Sequence, residues 1–330
     1  MRRLFTTALT LVTLCLVLAG VSFDAKAAKF PARTIELICT MSPGGDSDFN
    51  ARVLAKYLAK ELGQSVVVTN ITGAGGSVGT DEFINNSKPD GHRLYMNHGT
   101  LHSTTAFGIL QHSYFDMQPI AIFGWGTGEV ITVRKNLPAN TVQELIEASK
   151  KEPNKYRFGY NPGATSHYLA VKLGMLGAQF NFVTTGSSSD RVVGLKGGHL
   201  DVIVTGIPTV IDYVKTGEFK MLANCASRRA DLYPDIPTMR ELGYDISFDP
   251  SYTLYAPKGT PAPILAAINA AVKKIVLTNK EYAAEIEKGF AQKPFYLDTP
   301  ETEALLKQQY DAFMSVKDEL RKGFAATQKK

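Results

Sequence analysis

Apolar and polar positions alternate along this chain with two different periods, and the places where the period changes mark its elements. Ile35, Leu37, Ile38, Cys39 and Met41 form an apolar run. It stops at Ser42-Pro43-Gly44-Gly45-Asp46-Ser47-Asp48, after which Phe49, Val53, Leu54, Tyr57, Leu58 and Leu62 share one helical face until Gly63 ends it. This is the pattern of a strand, a tight glycine loop and a helix. Pro43 ends the strand, Gly44 and Gly45 let the backbone approach a ligand closely, and Ser47 or Asp48 is placed to cap the helix. A helix start leaves backbone N–H groups without partners of their own, which favours an anion.

The same grammar recurs downstream. Residues 66–68, 93–97, 120–125 and 130–134 read as strands, with Gly73-Ala74-Gly75-Gly76 opening a short helix and Pro89-Asp90-Gly91 making a turn. Thr141 is placed to cap a helix through Ser149, and residues 156–160 read as a strand. Asn161-Pro162-Gly163-Ala164-Thr165-Ser166 then leads into a helix over 167–176. Strands at 180–184, 201–205 and 219–225 alternate with helices at 187–196 and 209–215. A strand at 252–256 follows, and helices at 262–277, 280–288 and 302–322 close the chain. Such alternation predicts an α/β protein with mostly parallel sheets flanked by helices.

Two similar blocks and a helical tail predict two lobes joined by strands that cross near 129–134 and 251–256. The first lobe is then discontinuous, residues 28–130 and 252–330, and the second spans 131–251. A ligand would sit in the cleft between them, at the C-terminal ends of the strands, where helix starts from both lobes converge.

The N-terminus adds a compartment. Arg2 and Arg3 precede an apolar run over 4–21 and the small-residue segment Ala25-Lys26-Ala27-Ala28, the layout of a secretory signal over residues 1–27. The run carries four threonines, which makes it marginal as a membrane span. The formal net charge of +5 is scattered, with no Lys/Arg cluster outside Lys329-Lys330, and gives no footprint for nucleic acid. Beyond the leader only Cys39 and Cys225 remain, and both read as buried free thiols because a chain of this length needs no staple.

No Cys or His spacing suits a metal. The Gly73 loop has Val78 where a dinucleotide fingerprint needs its third glycine, and no Gly-x-Ser-x-Gly elbow occurs. The chain therefore reads as a binding protein without cofactor or metal, not as a hydrolase or dehydrogenase.

Several segments, in order, resemble one family. They are Pro43-Gly44-Gly45 with Asp48, Ala51 and Arg52; Gly73-Ala74-Gly75-Gly76-Ser77-Val78-Gly79; Lys88-Pro89-Asp90-Gly91; His167-Tyr168-Leu169; and Gly197-Gly198-His199-Leu200-Asp201. Arg228 with Tyr233-Pro234-Asp235-Ile236-Pro237-Thr238, then Glu241-Leu242-Gly243 and Ala256-Pro257-Lys258-Gly259-Thr260-Pro261, complete the set. Together they resemble the Bug/TctC family, the periplasmic solute-binding receptors of tripartite tricarboxylate transporters.

The resemblance implies a two-lobe, type II periplasmic-binding-protein architecture that closes on a small organic anion, typically a di- or tricarboxylate. It implies delivery to a permease of one large and one small integral-membrane subunit, a monomeric state, and the periplasm of a Gram-negative bacterium. It places the ligand against Pro43, Gly44, Gly45 and Asp48, with Gly73, Ala74, Asn97 and Thr100 as neighbours. In the second lobe it points to Gly163, Ala164, Thr165, Ser166 and His167, to the loop Thr185, Gly186 and Ser187, and to Asp201 near the cleft floor.

Some of these positions carry a second reading from their residue type. Asp48 fits ordering of the loop or its water as well as it fits capping of the helix. His167, just inside a helix start, reads on its own as a neutral packed imidazole. Thr185-Gly186-Ser187 stands where the family usually has Tyr-Lys-Gly, which makes that wall wider and less basic. Arg191 is the candidate replacement charge, against its plainer reading as a solvated or salt-bridged side chain. A sensor subunit that presents the same ligand to a membrane histidine kinase is the alternative role.

Overall fold

The computed structural model describes residues 30–231 and 233–328. The leader expected over residues 1–27 lies outside the described residues. Strand β1 (Ile35–Cys39) is an apolar run because both of its faces are covered, as in parallel sheets generally. Helix α1 (Asp46–Leu62) buries Val53, Leu54, Tyr57 and Leu58 on one face. It ends where Gly63, at φ 67°, turns its N–H back to the carbonyl of Ala59. The N-cap residue is Gly45, and neither Ser47 nor Asp48 occupies that position.

The first half continues through β2 (Val66–Asn70), α2 (Ser77–Asn86), β3 (Arg93–Asn97), α3 (Thr100–Phe107) and β4 (Met117–Trp125). Then come β5 (Glu129–Arg134), α4 (Val142–Lys151), β6 (Arg157–Tyr160), α5 (Thr165–Met175), β7 (Asn181–Thr184) and α6 (Ser188–Lys196). Thr141 caps α4 by accepting the N–H of Glu144. Next are β8 (Val202–Gly206), α7 (Ile207–Lys215), β9 (Phe219–Asn224) and β10 (Ser251–Pro257). Helices α8 (Ala262–Thr278), α9 (Lys280–Phe290), α10 (Thr299–Met314) and α11 (Lys317–Gln328) end the chain. The single helix expected over 302–322 is thus two, broken at Ser315 and Val316, and α3 was not foreseen.

The strands form two five-stranded sheets, ordered β2-β1-β3-β10-β4 and β7-β6-β8-β5-β9. Both are mixed. In the first, β1 pairs in parallel with β2 and β3, while β10 runs antiparallel to β3 and β4. In the second, β6 pairs in parallel with β7 and β8, while β5 runs antiparallel to β8 and β9. The antiparallel pairings come from the strands that follow each crossing between sheets, so a prediction of mostly parallel sheets holds only for the blocks between crossings. The crossings are tied together: Gly126 N–H donates to the carbonyl of Pro250, and the Asn224 amide to the carbonyl of Thr127. Trp125 packs on Phe295 beside them.

Each sheet has its own core, but the second is shared. Phe107 of α3, Phe313 of α10 and Leu320 of α11 pack into the cluster built on β5, β6 and β8. Cys39 and Cys225 are buried and free.

Candidate functional site

The C-terminal ends of β1, β3, β6 and β8 face one another across a cavity, and five helices begin at its wall. Gly45 and Asp46 bring the start of α1, Ala164 to Ser166 that of α5, Ser187 and Ser188 that of α6, and Gly206 that of α7. Thr100 of α3 also lines it. The first-turn N–H groups of these helices have no intrahelical partner, and their aligned peptide dipoles place partial positive charge at the cavity. The chamber is narrow, about 30 Å³. A second one of about 310 Å³ adjoins it, sharing Met41, Asn161, Gly186 and Ser187 and extending to Gly73, Ala74 and Thr185.

Two loops set this geometry, and each is locked by the third residue of the helix it opens. Gly44, at φ 85°, donates its N–H to Asp48 Oδ2 at 3.0 Å. Burial works against the Asp48 charge, but hydrogen bonds from Arg52, the Gly44 N–H and Asn70 outweigh it and hold the carboxyl below its usual range. Gly163, at φ 76°, donates its N–H to His167 Nδ1 at 3.1 Å. His167 stacks on Phe107 at 4.4 Å, and burial pushes its pKa down to about 3, so the ring is neutral and free to accept.

Charged side chains stand among these backbone groups. Arg191, 6% exposed, donates from Nε to the carbonyl of Val204 and from one Nη to that of Gly186. Glu129, the first residue of β5, accepts from Thr165 Oγ1 at 2.8 Å, and burial pushes its pKa up to about 7. Asp46 accepts from the Tyr252 hydroxyl at 2.9 Å. His98 also lines the cavity, and burial lowers its pKa. The two sides already touch: Ser189 Oγ donates to the carbonyl of Gly44 at 3.0 Å.

The model of the tripartite tricarboxylate transporter family receptor matches residues 50–320 of this chain. The chain belongs to that family. It is 31% identical over 268 residues to protein BugT of Bordetella pertussis, covering 79% of this chain and 82% of that one. It is 32% identical over 314 residues to a UPF0065 protein encoded in the gbd 5' region of Cupriavidus necator, covering 91% and 89%.

Among solved structures, a periplasmic transporter superposes with a TM-score of 0.80 at 26% identity, covering 87% of this chain and 97% of that one. MatC from Rhodopseudomonas palustris with bound malate gives 0.78 at 23% identity, covering 87% and 100%. Rpa4515 of R. palustris with adipate gives 0.78 at 21%, covering 90% and 98%. Those last two likenesses concern the fold. The family and its structural neighbours are solute-binding receptors, and this chain is one of them rather than an enzyme. No helix of the described residues is long and apolar enough to cross a membrane.

In this receptor, Gly45, Thr100, Ala164, Thr165, Ser166, Gly186 and Ser187 come together at the narrow chamber, and Gly73, Ala74 and Thr185 at the wider one. Pro43, Gly44, Gly163, Asp48 and His167 line neither chamber and act behind them as loop geometry. Asn97 is turned inward: its amide donates to Thr40 Oγ1 and to the Tyr95 hydroxyl, and its oxygen accepts the Leu101 N–H. Asp201 is a correction. It precedes β8, whose other end reaches the cavity, and its carboxylate is spent on Arg157 and Arg134. A carboxylate at a strand start, with two guanidiniums on it, braces the far edge of the sheet and cannot form the cleft floor.

Sequence reasoning missed Glu129 and Asp46. The signal for Glu129 was a lone carboxylate heading an apolar strand just after Gly126-Thr127-Gly128. Arg191, which reads from sequence either as a replacement charge or as a solvated or salt-bridged side chain, lies buried at the cavity.

Proposed function

We propose that this receptor captures a small carboxylate-bearing molecule by hinge closure of two lobes, residues 28–130 with 252–330 and residues 131–251. It then hands the cargo to a membrane permease of one large and one small integral subunit, working as a monomer exported to the periplasm by residues 1–27. The observation that carries this reading is the convergence of helix starts from both sheets on one chamber. Several N–H groups and aligned dipoles in a closed, low-dielectric site hold a carboxylate with no need for a conventional ion pair. The malate and adipate bound by MatC and Rpa4515, which share the fold, support the carboxylate class. A ligand touching both sides favours the closed arrangement by its differential contacts, which is what a hinge needs.

The test is a thermal-shift panel of mono-, di- and tricarboxylates on the mature protein. A carboxylate at about 100 times its Kd stabilises the native state by about 2.7 kcal/mol and raises Tm. Gly45→Val should abolish that shift and leave the unliganded Tm nearly unchanged. Gly45 has an ordinary φ of −87°, but a Cβ there would meet Ser188 Oγ at 3.1 Å from the opposite wall. Unchanged affinity in Gly45→Val removes the loop from the site, and a panel without a single shift removes the carboxylate reading.

A further inference from the structure

The charges that line the narrow chamber are not paired with one another. The Nε and one Nη of Arg191 go to carbonyl oxygens, and among the described residues no carboxylate lies within 4.0 Å of its guanidinium. Glu129 Oε2 is shut away from solvent without any hydrogen-bond partner. Asp46 has the Tyr252 hydroxyl on one oxygen and no cation within ion-pair range. Arg191 is buried and Glu129 and Asp46 are half-buried, and their attraction acts across the space rather than through contact; a cation and two carboxylates held apart in this way leave bonding capacity for something that enters between them. Helix starts and a guanidinium ask for an anion. Glu129 Oε2 and Asp46 ask for a donor, best a cationic one.

We propose that the cargo carries a primary ammonium as well as a carboxylate: the carboxylate meets Arg191 and the helix starts, and the ammonium meets Glu129 Oε2 and Asp46. This rests on the receptor reading above and narrows its ligand class. The wider adjoining chamber holds no charged side chain, only Thr, Ser, Gly, Ala, Asn, Pro and Met residues. The part of the ligand that extends there is uncharged, so the cargo is an amino acid with a neutral side chain or a molecule of that pattern.

Proton linkage gives the proposal a sign. Burial raises the Glu129 pKa to about 7 while Arg191 pulls it down; Asp46 from α1, Thr165 from α5 and His98 beyond β3 face the same space. An ammonium arriving beside Glu129 favours its ionised form, so binding releases a proton near neutrality. A second carboxylate in that place would instead require Glu129 to take one up.

Calorimetric titrations near neutral pH, in two buffers of different ionisation enthalpy, read both affinity and proton count. The probes are matched pairs: alanine and propionate, leucine and 4-methylpentanoate, aspartate and succinate, glutamate and glutarate. The amino member of at least one neutral-tailed pair should bind about tenfold or more tighter than its partner, with net proton release. Glu129→Gln should cut that preference to about threefold or less. If Glu129→Gln does not fold, as judged by circular dichroism and Tm, Asp46→Asn should cut the preference in the same direction. Carboxylates that bind as well without the amino group, or with proton uptake, overturn this inference and leave the carboxylate receptor standing. Failure of every carboxylate, with or without an amino group, overturns both.

Discussion

Ser42-Pro43-Gly44-Gly45 and Asn161-Pro162-Gly163-Ala164 share only a Pro-Gly pair, yet they are the same device in two sheets. Each follows the second strand of its sheet, β1 or β6, turns at a left-handed glycine, and opens a helix from an extended N-cap residue, Gly45 at φ −87°, ψ 176° and Ala164 at φ −76°, ψ 174°. In each, the glycine N–H is taken by the third residue of the helix. That residue is a carboxylate in one loop and a neutral imidazole in the other. The geometry needs an acceptor; the neighbours choose its charge. Asp48 has Arg52 and Asn70 beside it, so an anion is supported there. His167 lies among Phe107, Tyr160 and Phe324, where a carboxylate would be buried without a counter-charge.

Valine at the two left-handed glycines should break this equivalence most visibly. Both positions impose about 1–2 kcal/mol of backbone strain on an L side chain. At Gly163 a Cβ would also meet Ile109 Cδ1 at 2.6 Å and Thr104 Cγ2 at 3.0 Å, while at Gly44 the nearest atom is Ser189 Oγ at 3.7 Å. Urea unfolding should show a loss of about 3 kcal/mol or more for Gly163→Val against about 1–2 for Gly44→Val. Equal losses would mean that the second loop is not held between the sheets as described.

Acid should separate the loops next. The folded pKa of His167 is depressed to about 3 from an unfolded value of about 6.5. Its contribution is therefore complete above about pH 6.5 and is lost as pH falls toward the folded value, because the unfolded chain binds the proton first. The folded pKa of Asp48 is also depressed, but its unfolded value is about 3.9, so its contribution persists until the medium is far more acidic. Between about pH 6.5 and 4 only the second loop should weaken. His167→Gln, which can accept from Gly163 without titrating, should flatten the fall of Tm over that range. His102, likewise pushed to about 3 by burial, titrates in both proteins and cancels in the difference. An unchanged slope would clear His167 of the effect.

The smallest effect belongs to the neighbouring loops. Ile71 after β2 and Thr185 after β7 each donate a backbone N–H to the last residue of the neighbouring strand, Cys39 of β1 and Tyr160 of β6. Thr185 adds a hydroxyl bond to the same Tyr160 carbonyl at 3.1 Å. Thr185→Ala should thus cost only about 0.5–1 kcal/mol in stability and shift the ranking of ligand tails more than their overall affinity. A ranking that stays fixed would remove Thr185 from the ligand's reach.

What could be read from sequence follows from where contrast existed. Helix α1 has a clean apolar face and a glycine stop, and β1 an apolar run closed off by Ser42-Pro43, so both were legible. Helix α3 gave no period because nearly all of it is buried, and Thr104 and Thr105 return their hydroxyls to its own carbonyls. Glu129, Asp46 and Arg191 were obscured for a related reason. Single charges in strands and helix turns look like surface until the opposing sheet closes over them. Asp201 failed in the opposite direction, since a strand carries its two ends to opposite edges and the motif did not reveal which end faced the cleft.

The strand order also sets a timetable. All five strands of the second sheet lie within residues 129–224, so its pairing partners are present as one continuous stretch of chain. The first sheet has a gap between β3 and β4 that only β10, residues 251–257, can fill. Its closure waits on contacts between residues far apart in sequence, which are slow to form. The half of the molecule that begins first is therefore the half that finishes last, and a chain emerging from its N-terminus keeps an open sheet edge until most of its length has appeared.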